Sequence, residues 1–201
     1  MAIDSASELR EMYGYPNKRA TLKQLDYLDK HAKHFLSLSP FMVLSTVGKN
    51  LMLDTSPRGG EPGFVKFDSN DHLLLPDAKG NNRLDSLMNI LENPTIGCLF
   101  FIPGVDETLR INGHATLVND EPTLKQFNHL THKPNCVIKI KAKEIFLHCA
   151  KALMRSQLWS ADSHINRAEF PTMGQMLKDQ LNDEHAAESQ DDMIKRYSQQ
   201  L

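Results

Sequence analysis

The sequence predicts a mainly β protein in which an antiparallel sheet forms a small barrel flanked by helices. From Phe41 onward, short apolar and β-branched runs are separated by turn residues, which is typical of antiparallel sheets. Strict alternation of apolar and polar residues over Glu107–Val118 indicates a strand with one buried face. The strands do not alternate regularly with helices, which argues against a parallel, doubly wound sheet.

Length and composition favour one domain. The chain has 201 residues, of which 40% are hydrophobic and 24% charged, ordinary values for a globular protein with a core. We expect a single domain over residues 1–201, with a helical N-terminal segment over 1–40 and a helical C-terminal tail over 160–201. Within the first segment, Ser5–Tyr13 and Thr21–Leu38 carry apolar residues at helical spacing.

The predicted strands follow one another with few helices between them. Turn residues at Gly48–Asn50 and at Asp68–Asp71 indicate two hairpins. The predicted strands are Phe41–Val47, Leu51–Ser56, Phe64–Phe67, His72–Leu75, Thr95–Ile102, Glu107–Val118 and Cys136–Leu147.

Three helices are predicted among and after these strands. Asn82–Glu92 is the clearest, with Asn81 or Asn82 as the capping residue and Leu84, Leu87, Met88 and Leu91 as its apolar stripe. Glu121–Leu130 and Cys149–Trp159 also have helical composition.

Composition excludes several function classes. The net charge of −2 provides no general basic field for nucleic acid. The polar N-terminus has no signal-peptide core, and no stretch has the ~20 apolar residues of a membrane span. Three cysteines without a C-x-x-C pair argue against a disulfide framework, and Cys98 fits a core position. We therefore expect a cytoplasmic protein.

His129 and His132 match no strong zinc pattern, so no metal site is predicted.

Lys79–Arg83 lies at the start of the clearest helix and is a candidate phosphate-binding segment. Helix N-termini present unpaired N–H groups, Gly80 allows a tight turn, and Arg83 offers a planar fork suited to phosphate. An ordinary capped helix with two solvated basic residues explains the same pattern. The segment lacks the Gly-Lys-Ser/Thr ending of a P-loop.

Two further stretches are candidates for ligand contact. Asp54–Gly60 presents Ser56 and Arg58 among small residues, and a polar β-turn with a surface arginine is the alternative. Lys151, Arg155 and Trp159 are four residues apart and would share one helical face. That face suits a phosphorylated aromatic ligand, or it is a solvated stripe with one anchoring tryptophan.

Taken in order, these stretches resemble one family. Ser56–Phe64, Leu75–Asp77 and Gly80–Ser86 are similar to the FMN-binding split-barrel proteins related to pyridoxamine 5′-phosphate oxidase, in particular to a bacterial subgroup. The resemblance continues over Asn93-Pro94, Ile102–Gly104, Glu107–Gly113 and His148–Ala152, and it spans Phe41 to Trp159.

The resemblance implies a six-stranded antiparallel split β-barrel of Greek-key topology, and a homodimer with two FMN sites built from both chains. It implies that Asn82 and Arg83 grip the phosphate, that Ser56 and Arg58 line the flavin, and that Thr108 reaches the flavin from the partner chain. Asp77 belongs to a matching motif. The helix that carries Lys151, Arg155 and Trp159 is specific to the subgroup.

The function implied is that of an FMN-dependent oxidoreductase acting on an unknown small molecule. No side-chain base is identifiable, so the catalytic residues are unknown. The alternatives are a non-catalytic flavin or ligand binder, such as a sensor, and a split barrel adapted to haem or a deazaflavin. Pyridoxamine-phosphate oxidases carry a Trp- and Arg-rich substrate segment that Met193–Leu201 does not resemble. We therefore do not expect efficient pyridoxamine 5′-phosphate oxidation.

Overall fold

A single antiparallel sheet of seven strands dominates the computed structural model, which describes residues 2–77 and 79–200. The sheet order is β2-β1-β5-β6-β7-β4-β3. The strands are β1 (Phe41–Val47), β2 (Leu53–Gly59), β3 (Lys66–Phe67), β4 (Leu73–Pro76), β5 (Thr95–Phe101), β6 (Thr108–Val118) and β7 (Val137–His148). Each predicted strand is present, with ends shifted by a few residues. The six strands implied by the resemblance become seven because the two-residue β3 forms its own pairing with β4.

The sheet has Greek-key connections and is curled into a half-barrel. Strands β5, β6 and β7 are consecutive neighbours, and β4 returns to lie beside β7, which is the Greek-key order. A β-bulge between Asn112 and Gly113 shifts the β6–β7 register and bends the sheet. A Cβ atom at Gly113 would lie 2.3 Å from the Lys141 carbonyl oxygen, so the bulge requires glycine. The fold is therefore the split barrel that the sequence predicts.

Alternation along the strands produces the core. Met42, Leu44 and Thr46 point from β1 to the inner face of the sheet and are buried. Leu109, Ile111 and Ala115 do the same from β6, as predicted. Cys98 is buried among them, and burial raises the pKa of its thiol to about 12. A period of two therefore places one face of each strand in the core and leaves the other outside.

The helices cover parts of this sheet. They are α1 (Ala6–Tyr13), α2 (Lys18–Leu22), α3 (Lys30–Leu38), α4 (Asp85–Glu92), α5 (Glu121–Lys125), α6 (Lys151–Ser156), α7 (Met173–Leu181) and α8 (Gln190–Ser198). Helices α3 and α4 contribute buried side chains to the core, including Phe35, Leu36, Leu87 and Ile90. Helices α7 and α8 of the C-terminal tail bury none. Within the described ranges, each helix is too short or too polar to cross a membrane.

Two predicted helices are shorter than the sequence suggests. The helical region Thr21–Leu38 is interrupted because Leu25 exchanges two backbone hydrogen bonds of 2.8 Å with Ile145 of β7. The predicted helix Glu121–Leu130 ends at Lys125, and the following turns place Phe127 against Leu74. In both places a tertiary contact replaces helical hydrogen bonds.

Asp68 organises the turn between β3 and β4. Its Oδ1 accepts backbone N–H bonds from Asn70 at 2.9 Å and from His72 at 3.0 Å. Its Oδ2 accepts from His72 Nδ1 at 2.9 Å and contacts Lys139 Nζ of β7 at 2.7 Å. Burial by itself raises the pKa of Asp68, but these hydrogen bonds outweigh it and hold the pKa well below its usual range. The carboxylate therefore stabilises the hairpin and joins it to β7.

We predict that Asp68→Asn lowers the free energy of unfolding at pH 7 by about 1–3 kcal/mol, because Lys139 and His72 lose a charged acceptor. The pKa of Asp68 is lower in the folded chain than in the unfolded chain. Its stabilisation is therefore fully present above pH ~5 and decreases as the pH falls below ~4. Urea unfolding of both proteins from pH 7 down to pH 3 measures this difference.

The matched control is Asp71→Asn in the same turn. The Asp71 side chain forms an exposed ion pair with Lys33, at 2.7 Å, and such pairs contribute ~0–1 kcal/mol. An equal loss in both variants, or an Asp68→Asn effect that does not shrink in acid, would contradict the assignment.

Candidate functional site

Three polar side chains share the inner face of β2, at the edge of the sheet. Asp54, Ser56 and Arg58 alternate along the strand and lie opposite the buried Thr46, Leu44 and Met42 of β1. Every other residue of a strand faces the same side. This edge of the half-barrel therefore presents a carboxylate, a hydroxyl and a guanidinium on an inner face that is mostly apolar.

Arg58 meets Asp77 from the far side of the sheet. Arg58 Nη1 lies 3.3 Å from Asp77 Oδ1, and the two side chains are 19% and 18% exposed. Strand β2 is at one edge of the sheet, whereas Asp77 directly follows β4, near the other edge. The ion pair therefore spans the split of the barrel. Arg58 Nε is buried and has no hydrogen-bond partner within residues 2–77 and 79–200.

Burial and charge oppose each other at Asp77. Burial raises the pKa of Asp77, and the attraction and hydrogen bond of Arg58 act in the opposite direction. The Asp77 backbone N–H donates to the Cys136 carbonyl at 3.1 Å, which anchors the segment that follows β4. The pKa of the Cys136 thiol is raised by burial and by Asp77. Arg58 and Asp77 are thus a partly buried pair, and within residues 2–77 and 79–200 the buried Nε–H of the guanidinium has no acceptor.

Asp54 connects the same edge to helix α4. It accepts hydrogen bonds from the buried Ser86 hydroxyl at 2.5 Å and from the Ser56 hydroxyl at 3.0 Å. Ser86 is in the first turn of α4, so this carboxylate fixes where the helix begins relative to β2. Sequence reasoning did not assign a role to Asp54 or Ser86. The alternation of Asp54, Ser56 and Arg58 along one strand indicates that Asp54 faces the same side as the two predicted ligand contacts.

The segment 79–84 is a loop, which corrects the predicted helix start. Helix α4 begins at Asp85, and neither Asn81 nor Asn82 caps it. Asn82 and Leu84 have φ of 60° and 61°, in the left-handed region. That conformation costs an L-residue such as leucine ~1–2 kcal/mol and prevents helical continuation. Of the predicted stripe, Leu87 is buried, whereas Leu84, Met88 and Leu91 are exposed.

The Arg83 side chain in this loop forms an ion pair with Asp85. Its Nε donates to Asp85 Oδ2 at 2.8 Å, and both side chains are exposed. The hydrogen bond and charge of Asp85 raise the pKa of Arg83, and Asp54 adds to this effect. Arg83 therefore lies within electrostatic range of the inner edge of β2. Asn82 is exposed beside it.

Thr108 lies on the opposite face of the sheet from Ser56 and Arg58. It precedes the inward-facing Leu109 of β6, so its side chain is on the outer face, where it is 8% exposed and pairs with His148. Strands β2 and β6 are separated by β1 and β5, about 14 Å at the usual strand spacing. Within one chain, Thr108 and Arg58 cannot contact the same small group.

The predicted stripe of Lys151, Arg155 and Trp159 does not form. Helix α6 has six residues, and Gln157 ends it in the left-handed conformation with φ of 51°. Trp159 lies beyond this end, and its Nε1 donates to the Val105 carbonyl at 3.0 Å. Lys151 and Arg155 are exposed on α6. The spacing of four is therefore interrupted between Arg155 and Trp159.

The structure thus divides the predicted site residues into two groups. Ser56, Arg58 and Asp77, with the adjoining loop of Asn82 and Arg83, belong to the inner edge of the barrel. Thr108, Lys151, Arg155 and Trp159 belong to the region around the start of β6 and the end of β7. In the described part of the chain, no hydrogen bond or ion pair connects a residue of one group to a residue of the other.

A shallow groove of about 440 Å³ lies elsewhere, on the outer face of β1, β5 and β6 around Gly97 and Asn112. None of the predicted site residues lines it. Among the residues that the structure describes, no three His, Cys, Asp or Glu side chains are grouped as metal ligands.

The curled sheet and its split define a split-barrel protein. The family model described as pyridoxamine 5′-phosphate oxidase matches residues 28–149, which include all seven strands. The chain therefore belongs to the pyridoxamine 5′-phosphate oxidase family. No curated protein is detectably similar to it in sequence.

Solved structures with a similar fold are distant in sequence. HupZ of Group A Streptococcus is 17% identical over 60% of this chain and 93% of its own, with a TM-score of 0.49. General Stress Protein 26 of Bacillus anthracis is 20% identical over 58% and 93%, with a TM-score of 0.39. HutZ, a heme storage protein of Vibrio cholerae, is 11% identical over 60% and 94%, with a TM-score of 0.43. None of these likenesses transfers a function.

We predict that Arg58→Met and Asp77→Asn each lower the free energy of unfolding by about 1–3 kcal/mol, because each leaves a partly buried partner uncompensated. The double variant should lose less than the sum, with a coupling energy of about 0.5–3 kcal/mol. Urea unfolding of the four proteins measures the cycle.

The control is the same cycle on the exposed Arg83–Asp85 pair, where coupling of ~0–1 kcal/mol is expected. Additive losses at Arg58 and Asp77 would show that the pair does not hold the split together.

Proposed function

We propose that this protein is an FMN-binding oxidoreductase of the family, acting on a small molecule and working as a homodimer. The observation that carries the proposal is Arg58, whose buried Nε lacks an acceptor in the strand where the resemblance implies contact with the flavin. A buried donor without a partner costs about 1–3 kcal/mol. A bound ligand with an acceptor at this position would remove that cost.

The residues at the inner edge fit FMN in their chemistry. Arg58 supplies donors for ring or ribityl oxygens, and Asp77 orients the guanidinium. The Ser56 hydroxyl donates to Asp54, so it offers an acceptor oxygen for a ribityl hydroxyl. Lys79, Arg83 and the backbone N–H groups of the loop are suited to a phosphate. The left-handed Asn82 and Leu84 set the direction of those groups, and such strain is common at ligand-binding segments. Asp85 competes with phosphate for Arg83.

When bound, FMN supplies hydride or electron transfer. In this proposal the chain binds and orients the cofactor, and the guanidinium of Arg58, paired with Asp77, lies at the same edge of the barrel. Charge near a flavin is one of the means by which proteins tune its potential. Ser56 is held by Asp54, so the strand that would line the ring is fixed before binding.

A second copy of the chain would complete the site. Thr108 is on the outer face and Arg58 on the inner edge, so a contact of both with one flavin requires two chains. The outer face also carries an apolar row of Pro57, Val43 and Leu99, which lie opposite one another in register. Phe41 and Phe101 extend it, with ring centroids 5.9 Å apart. An apolar sheet face of this kind is suited to a symmetric interface.

The test begins with the purified full chain. We expect a yellow protein that releases FMN on denaturation and sediments as a dimer. NADH or NADPH oxidation with an added electron acceptor then distinguishes an enzyme from a non-catalytic flavin binder. A colourless protein that does not bind added FMN, or a flavin-loaded monomer, would overturn the proposal.

We predict that Arg83→Ala weakens FMN binding roughly tenfold or more, because a hydrogen bond to the charged phosphate is lost. Riboflavin affinity should change much less, since riboflavin has no phosphate. Asp85→Asn should strengthen FMN binding slightly, because it releases Arg83 from its competing carboxylate. Fluorescence titration with both ligands measures these effects, and Lys125→Ala on the remote helix α5 is the control. Equal losses for FMN and riboflavin would mean that Arg83 acts structurally.

A further inference from the structure

Three basic side chains converge on one aromatic ring of the outer face. The Arg110 guanidinium carbon lies 4.0 Å from the centroid of the Phe146 ring, and Lys23 Nζ lies 5.2 Å from it. The His148 ring is 4.8 Å from the same ring, at an angle of 48°. Arg110 and Phe146 are cross-strand partners, and Lys23 precedes the Leu25 bridge that fastens the N-terminal segment to β7. Two separate parts of the fold therefore bring these cations together.

Arg110 has no anionic partner among the residues that the structure describes. Within residues 2–77 and 79–200 its side chain makes no hydrogen bond or ion pair, and its Nε is buried and unsatisfied. Stacking of the Arg110 guanidinium on the Phe146 ring offsets part of the cost of burying it. A guanidinium nonetheless retains five donors, and a buried donor without an acceptor is costly.

Two carboxylates near this cluster accept hydrogen bonds from other groups. Glu144, on the same face of β7, accepts from Asn112 Nδ2 at 2.9 Å. Asp29 lines the same cavity as Lys23 and Phe146 and accepts from the Ala32 N–H at 2.7 Å. Lys23 Nζ donates to the Leu147 carbonyl at 2.9 Å and keeps further donors. The pKa of His148 is lowered by burial and then by the charges of Arg110 and Lys23. The groups that act on His148 are thus both cations, and the local potential is positive.

We propose that Lys23, Arg110 and His148 form a subsite for the carboxylate or phosphate group of a small anionic substrate. The proposal rests on the proposed function, because a substrate must come close to the flavin. His148 pairs with Thr108, the residue that would face the partner's flavin in the dimer. A planar guanidinium fork, an ammonium and an imidazole are the donors with which proteins bind such groups.

This subsite differs from the phosphate-binding loop proposed for FMN. Arg110 is on the outer face of β6, whereas the loop 79–84 adjoins the inner edge of β2. The two sets of cations can therefore be tested separately, by variants of one that leave the other intact.

The experiment is calorimetric titration of the FMN-loaded protein with inorganic phosphate and, separately, with benzoate, at constant ionic strength set by chloride. We expect at least one of the two anions to bind. Arg110→Gln and Lys23→Gln should each weaken that binding by about tenfold or more, while FMN affinity is unchanged. Phosphate binding alone indicates a phosphorylated substrate, and benzoate binding alone indicates a carboxylate. The matched control is Lys141→Gln, which removes an exposed cation from β7, the strand that carries His148. This variant should leave anion binding unchanged.

Absence of binding by both anions, or binding that neither Arg110→Gln nor Lys23→Gln weakens, would overturn the proposal. Lys23 is exposed, so its variant decides the matter even where Arg110→Gln fails to fold. If Arg110→Gln dissociates the dimer and Lys23→Gln leaves anion binding intact, Arg110 pairs with the partner chain and the subsite is refuted. A protein that binds no FMN refutes the proposed function instead, and the same titration on that protein still tests the cluster.

Discussion

The contact between Arg58 and Asp77 is the constraint on which the candidate site depends. Strand β2 at one edge of the sheet and β4 near the other share no backbone hydrogen bonds, so the split is bridged by side chains. A guanidinium–carboxylate pair at 3.3 Å holds the two ends together. Because the pair is mostly buried, it is costly to desolvate, and it is tolerated only where its hydrogen-bonding groups are nearly satisfied. Within residues 2–77 and 79–200 the buried Nε–H of Arg58 has no acceptor, and the proposed ligand would supply one.

The same curled sheet separates the polar groups into two sets. Period-two alternation places Arg58 on the inner face and Thr108 and Arg110 on the outer face, with two strands between them. A flat ligand in contact with both sets would need a second chain, so the proposed cofactor and the proposed dimer depend on each other. The apolar outer row that includes Val43 and Leu99 and the unpaired Arg110 lie on the surface that such a second chain would approach.

Strand positions could be predicted because they depend on local alternation. Leu109, Ile111 and Ala115 of β6 are buried at the predicted positions, and no distant contact was needed to locate them. Thr108, on the predicted polar face, is buried as well. Helix boundaries depended on contacts far along the chain. Leu25 is not helical because its backbone pairs with that of Ile145. The predicted helix ends before Phe127, whose side chain packs on Leu74. The loop before α4 and the early end of α6 depend on Leu84 and Gln157, whose backbones are in the left-handed region. Neither residue type indicates that conformation in a sequence.

The sequence by itself determined the fold class, the family and the list of candidate ligand contacts, since alternation, turn residues and ordered motifs are all local in the chain. Only the tertiary structure decided which of those residues meet. It joined Arg58 to Asp77 across the split, tied Ser86 to Asp54, separated Trp159 from Arg155, and brought Lys23 to Phe146. These contacts depend on how far the sheet curls and on where the helices end. Both are set by packing between residues distant in sequence, which local patterns do not encode.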